Sequence, residues 1–146
     1  MKLLRVGMDE VELVVPLFDA YRQFYEQPSD PTGGRSFLFA RVAREESVIF
    51  LARDEDGRAR GFVQLYPTFS SVSLGARWIL NDLYVSPEAR RSGVGSALLQ
   101  KAADHARHAG ANALVLATAE DNLPAQRLYE ARGWKRDGFF HYVLAL

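Results

Sequence analysis

The sequence predicts an α/β chain built on a mixed sheet, and three observations predict it. Short apolar runs such as SVIFLA (47–52) and ALVLAT (113–118) alternate with longer stretches of helical period. Two runs, 47–52 and 61–66, flank the turn EDG at 55–57, which is a hairpin arrangement. A later run, 77–85, reaches the next only through a helix, the kind of connection that parallel strands need. Antiparallel and parallel neighbours in one chain make the sheet mixed.

Taken in order, residues 2–7 read as a short strand. Asp9, followed three residues later by Glu12, has the form of a capping box opening a first helix. Leu13, Leu17, Tyr21 and Phe24 recur at spacings of four, four and three and mark its apolar face. Pro16 implies that this helix either kinks or truly begins there. QPSDPTGG (27–34) reads as a loop and 36–44 as a second short helix. The hairpin 47–66 follows, then the strand RWILNDLYV (77–85) and a helix reaching His108. Val94, Ala97, Leu98, Ala102 and Ala106 line one face of that helix, and Gly110 stops it. ALVLAT is another strand, 119–133 carries a helix ending at Gly133, and FFHYVLAL (139–146) reads as a last strand. There is no internal repeat, low-complexity tract or linker, so residues 1–146 are expected to form one domain.

Composition narrows the function. The 18 basic and 18 acidic side chains cancel, so no overall field draws the chain to nucleic acid or to an acidic membrane. With no cysteine, disulfides, thiolate zinc sites and a cysteine nucleophile are excluded. MKLLRVGMDE is too weakly apolar for a signal peptide and no segment approaches a membrane span, so the expected location is the cytoplasm. His105 and His108 lie one helical turn apart without a carboxylate to complete a metal site, and are expected to share a solvated face.

The informative stretch is VSPEARRSGVGSALL (85–99), where a strand turns into a helix through two arginines and two glycines. The first turn of a helix leaves backbone N–H groups unpaired, and the macrodipole adds positive charge there. Gly93 and Gly95 let a phosphate approach those amides without meeting a Cβ, while Arg90 and Arg91 supply charge. An ordinary strand-to-helix turn with solvated arginines explains the same residues equally well. A dinucleotide fingerprint is excluded because GVGSAL lacks the third glycine, and a nucleoside triphosphate loop because no GK[ST] follows.

RRSGVG (90–95) resembles the R/Q-x-x-G-x-G/A motif of the GCN5-related N-acetyltransferases, which hold the pyrophosphate of acetyl-coenzyme A on such a turn. LNDLYVSPEAR resembles the strand that leads into that motif. NLPAQRLYEARGW (122–134) is similar to the family's downstream N-x-x-A-x-x-L-Y-x-x-x-G-F block. YRQFYEQ and NDLYV look like the small-amine branch that includes histone and polyamine acetyltransferases. The resemblance implies a mixed sheet of six to seven strands flanked by about four helices. It also implies acetyl-CoA as donor and an amine as acceptor.

Carried over residue by residue, the resemblance implies that Leu83, Tyr84 and Val85 pair with the pantetheine arm as an added strand would. Leu83 would offer its amide to the thioester carbonyl. Arg90, Arg91, Ser92, Gly93, Val94, Gly95 and Ser96 would surround the pyrophosphate. Asn122 would hydrogen-bond the cofactor near its thiol end, and Tyr129 would be the general acid for the departing thiolate, with a packing tyrosine as the alternative.

The base stays open among Asp82, Asn81 and water. Asp82 is the carboxylate on the central strand, but some polyamine acetyltransferases place a glutamate where this chain has Asn81. Strand alternation puts the two on opposite faces unless a bulge intervenes. Asp82 could equally be a structural ion pair or cap.

Tyr21, Phe24, Tyr25 and Tyr66 are candidates for aromatic walls of an amine site, with Ser70 and Asn81 as polar contacts. Three activities fit: acetyl transfer to a small amine, acetyl transfer to a protein lysine or N-terminus, and cofactor binding without transfer. The apolar terminal strand, together with the dimers common among the related enzymes, implies a homodimer.

Overall fold

The structure is a computed structural model that describes all 146 residues. The chain divides into two compact units, Met1–Leu116 and Ala117–Leu146. The first carries a five-stranded sheet of β1 (Lys2–Arg5), β2 (Val48–Arg53), β3 (Ala59–Ser70), β4 (Gly75–Val85) and β5 (Ala113–Val115), paired in that order. Every pair is antiparallel except β4 with β5. The mixed sheet is as predicted, with five strands rather than six or seven.

Both faces of the sheet are covered, and this is why the strand sequences run apolar without alternation. Helices α1 (Val11–Phe24) and α2 (Pro31–Ala43) lie over one face, and α3 (Val94–His108) over the other. Ile49 and Leu51 of β2 and Phe62 of β3 join Val11, Val14, Val15 and Phe18 of α1 and Leu38 of α2 in one cluster. Phe62 is fully buried and packs in T-shaped pairs with the rings of Phe18 and Tyr21. Truncating an aromatic side chain in such a position costs about 3–5 kcal/mol. On the opposite face, Gly61 lets α3 approach closely. A Cβ there would lie 2.9 Å from the Tyr84 carbonyl oxygen and 3.2 Å from Leu98 Cδ1.

Several boundaries differ from the sequence reading, each for a local reason. The capping box does not form: a 3-10 turn at Met8–Glu10 precedes α1, no side chain caps it, and Glu12 pairs with Arg35 of α2. Helix α1 begins at Val11 and runs through the exposed Pro16 in its second turn, and Leu13 and Phe24 face solvent while Val14, Val15 and Phe18 are buried. Helix α2 begins five residues before the expected start. Asp30 caps it, accepting from the Gly33 amide at 2.9 Å, and Pro31 takes the first helical position, so the glycines belong to the helix.

The connection between α1 and α2 is tied to α1 by Asp19. One carboxylate oxygen accepts from Ser29 Oγ at 2.7 Å and Gln23 Nε2 at 3.1 Å, the other from the Asp30 amide at 2.8 Å. These bonds, Ser29 foremost, hold the Asp19 carboxyl below the ordinary aspartate value. The connection carries Tyr25 at a fixed place beside Tyr21.

Described by itself, the second unit is organised by α4 (Leu123–Ala131). Asn122 Oδ1 caps it from the Ala125 amide at 3.3 Å, and Gly133 closes it at φ 90°. The expected final strand does not form. Residues 139–146 make no ladder, and Phe139, Phe140, Tyr142, Val143, Leu144 and Leu146 are exposed. An apolar alternation becomes a strand only where a neighbouring strand completes its backbone hydrogen bonds. Similarly, the run 113–118 is a strand only over Ala113–Val115, where β4 supplies partners.

Candidate active site

The turn after β4 makes the first part of the site. Its backbone enters the left-handed region at Arg91 (φ 63°) and again at Gly93 (φ 87°), which stands at the N-cap of α3. No side chain caps α3 and no acidic residue occupies its first turn, in contrast to α2 and α4, which Asp30 and Asn122 cap. The first-turn amides of Val94, Gly95 and Ser96 therefore keep their partial positive charge. A Cβ added at Gly93 would meet nothing within 4 Å. The cleft of ≈ 350 Å³ beside the turn is lined by Asp54, Glu55, Arg60 and Glu88 as well as Ala89, Ser92 and Val94, and its three carboxylates make it no site for a phosphate.

The two arginines of the turn differ. Arg90 folds back on β4, donating from Nε to the Val85 carbonyl at 3.1 Å and lying 5.8 Å over the Tyr84 ring. It braces the turn. Arg91 is exposed.

The second part is the open edge of β4. Pairing with β5 covers only Arg77–Ile79, against Ala113–Val115. From Leu80 to Val85 that side of β4 has no strand beside it, while its other side stays bonded to β3. The free stretch contains Leu83, Tyr84 and Val85 and runs directly into the turn. An extended polar chain can add here as a strand would, with its anionic end at α3.

The third part is a bulge. Gln64 of β3 faces Asp82, but Leu65 faces Leu80, so Asn81 is an extra residue in β4. The bulge brings Asn81 and Asp82 together although they are adjacent: Asn81 Nδ2 donates to Asp82 Oδ1 at 2.7 Å. Gln64 Nε2 donates to Asp82 Oδ2. Tyr21 Oη donates to the Asn81 carbonyl at 3.3 Å. Asp82 is 3% exposed, and burial pushes its carboxyl above the ordinary aspartate value, opposed by its bonds to Gln64 and Asn81 and by the nearby Tyr21 hydroxyl.

The carboxylate of Asp82 is bonded by the side-chain amides of Gln64 and Asn81 and makes no ion pair. Burial, together with the Asp82 charge, also raises the Tyr21 and Tyr66 hydroxyls, Tyr66 to about 12. Both stay protonated donors at neutral pH.

The aromatic candidates separate. Tyr21, Tyr25 and Tyr84 form an edge-to-face group with Phe62 at its base, and Tyr66 lies within the field of Asp82. Phe24 is exposed and touches the group only through Tyr25. Ser70 is bound into its own turn, accepting from the Ser73 amide at 3.3 Å. Of the histidines, His105 does not share the solvated face of His108. It lies edge-on between Phe50 and Trp78 at 5.6 and 4.8 Å, because α3 turns that position toward the sheet.

Gln64 was missed by sequence reasoning. A glutamine inside the apolar run GFVQLY was its only signal. Asn122 and Tyr129 lie in the second unit, Asn122 as the α4 cap and Tyr129 with its ring 6.0 Å from that of Trp134.

The comparisons agree with this geometry. The family model described as "Acetyltransferase (GNAT) family" matches residues 14–134. The N-acetyltransferase YhfO of Bacillus subtilis is 47% identical over 99% of this chain and 97% of its own. A probable acetyltransferase of Haemophilus influenzae is 36% identical over 92% of this chain and 90% of its own. The thialysine N-epsilon-acetyltransferase of Bos taurus is 39% identical over 47% of this chain and 41% of its own. A crystal structure of a probable acetyltransferase superposes with a TM-score of 0.94 at 45% identity, covering 100% of this chain and 98% of that one. An uncapped helix start, an open strand edge leading to it and a matched sequence throughout place the chain in the GNAT family of N-acetyltransferases, whose acetyl donor is acetyl-CoA.

Proposed function

We propose that the chain acetylates a primary amine of a small molecule, of the polyamine, amino acid or amino sugar type. The observation that carries this reading is the buried Asp82 at the β4 bulge, held by amides and overlooked by Tyr21 and Tyr66. A free amine has a pKa near 10, so at neutral pH it arrives as an ammonium and must lose a proton before it can attack. A buried carboxylate without a cation partner attracts that ammonium and accepts the proton, directly or through a water. The aromatic group of Tyr21, Tyr25 and Tyr84 suits a short apolar stem or the cation itself. The name of the thialysine enzyme adds a small-amine acceptor among the relatives.

Bound acetyl-CoA supplies an activated acetyl thioester. The first-turn amides of α3 would hold its pyrophosphate, with Arg91 adding charge. Leu83 N–H would polarise the thioester carbonyl, where negative charge develops. Asn122 would hold the cofactor near its thiol end. Tyr129 Oη would donate a proton to the departing sulfur. Tyr129→Phe is therefore expected to lower kcat about 10²-fold or more with CoA affinity nearly unchanged. Full turnover in that variant would return Tyr129 to packing against Trp134.

Thiol release from acetyl-CoA against spermidine, lysine, glucosamine and a lysine-containing peptide tests the acceptor class. Turnover of the peptide alone would shift the reading to a protein acceptor. No turnover with any of them would leave a cofactor-binding module.

The same reading treats residues 1–146 as one acetyltransferase domain, since the YhfO match spans 99% of the chain. It places the chain in the cytoplasm, where acetyl-CoA is available; no helix is long and apolar enough to cross a membrane. The exposed apolar stretch 139–146 supports a homodimer with that stretch at its interface. Sedimentation is expected to give a dimer at micromolar concentration and a monomer after deletion of 140–146. A monomeric parent, or a dimer that survives the deletion, would count against it.

A further inference from the structure

We propose that Gln64 is a positioning residue for the transfer: its amide clamps one oxygen of Asp82 while Asn81 clamps the other, keeping the carboxylate ionised and aimed. This rests on the reading of Asp82 as the acceptor of the amine's proton.

Gln64 lies directly opposite Asp82 in the β3–β4 register and is wholly buried. Its Nε2 donates to Asp82 Oδ2, and its Oε1 is buried without a partner. Packing alone does not explain such a residue. A methionine of similar length would fill the same space and leave no orphaned oxygen. What methionine lacks is the donor. Immediately past this pair, the bulge turns Asn81 so that its amide reaches Oδ1 of the same carboxylate at 2.7 Å. Two amide donors from two strands thus fix the plane of the carboxylate.

The other groups around Asp82 leave this task to the amides. From α1, the Tyr21 hydroxyl donates to the Asn81 carbonyl, and its influence on Asp82 is weaker than that of Gln64 or Asn81. From β3, Tyr66 lies close enough for the Asp82 charge to raise its hydroxyl, and Arg41 of α2 acts on Tyr66 in the opposite sense. Among the influences that keep the buried acid ionised, the bond from Gln64 is the largest. Without it, desolvation is opposed only by Asn81 and Tyr21, and Asp82 takes up its proton at a higher pH.

The test is a carbon-detected NMR titration of the Asp82 carboxyl in the full chain, assigned by its absence in Asp82→Asn. The Gln64→Met variant is expected to titrate about one to two pH units above the parent, the loss of a hydrogen bond to a charged group. The acid limb of kcat/KM, measured with spermidine, lysine or glucosamine, whichever turns over fastest, is expected to move by the same amount. A lowered melting temperature with both titrations unmoved would make Gln64 merely structural and overturn the proposal.

If Gln64→Met does not fold, Gln64→Glu carries the test, because two buried carboxyls must then share a proton and the midpoint rises. An unmoved midpoint there overturns the proposal equally. Failure of the underlying reading looks different: Asp82→Asn would keep the parent's acid limb. An acid limb lost in Asp82→Asn but unmoved in Gln64→Met overturns the role of Gln64 alone.

Discussion

Asp82→Asn is expected to abolish most of the turnover, by about 10²- to 10⁴-fold, and to remove the acid limb of the pH–rate profile. The sign follows from burial. The folded chain holds the Asp82 proton more tightly than the unfolded chain, because desolvation raises its pKa above the ordinary aspartate value. The parent therefore gains activity as pH rises through that elevated value, when the carboxylate becomes able to accept a proton. Stability runs the other way: between about pH 4, where an unfolded aspartate titrates, and the folded value, the native state binds more protons, so stability falls as pH rises.

Asparagine carries no charge to desolvate, and this offsets the loss of one of the two amide bonds that the carboxylate oxygens accept. The variant should thus match or exceed the parent's melting temperature at pH 7 while losing its activity. Rate profiles and melts on the same preparations decide it. Parent-like turnover would hand the base to water or Asn81, and a large loss of stability at pH 7 would make the carboxylate a structural group.

The strands and α3 were legible because burial on both sheet faces writes unbroken apolar runs, and because Gly93 and Gly110 punctuate α3 at positive φ. The acceptor end was less legible. Whether Asn81 and Asp82 share a face depends on a one-residue register shift against β3, and a bulge is a property of two strands that neither sequence announces. Gln64 was hidden for the same reason, since its partner is 18 residues away. The start of α2 was written locally, by Asp30 and Pro31, but the glycines after them argued for a loop more loudly than the cap argued for a helix. Residues 139–146 carry a strand pattern with no strand to complete it, so composition alone overstated the sheet.

Substitution at the two glycines of the turn is expected to separate cofactor binding from folding. Gly93 sits at φ 87°, where a Cβ strains the backbone by about 1–2 kcal/mol, so Gly93→Leu should lower both the melting temperature and CoA affinity. Gly95 stands one residue inside α3, with no positive φ to maintain. Replacing a helical glycine by leucine gains up to about 0.8 kcal/mol of helix propensity, which offsets local crowding. The added side chain would stand beside the first-turn amides and keep a phosphate from reaching them. Gly95→Leu should therefore keep the parent's melting temperature and bind CoA at least about tenfold more weakly, a loss of about 1.4 kcal/mol. Calorimetric titration with CoA, with dephospho-CoA and pantetheine as controls, locates the loss. It should be large for the two ligands that carry a pyrophosphate and small for pantetheine, which has none. Equal losses for all three would mean that the substitution disturbed the β4 edge rather than the helix start, and unchanged CoA binding would remove the turn from the cofactor site.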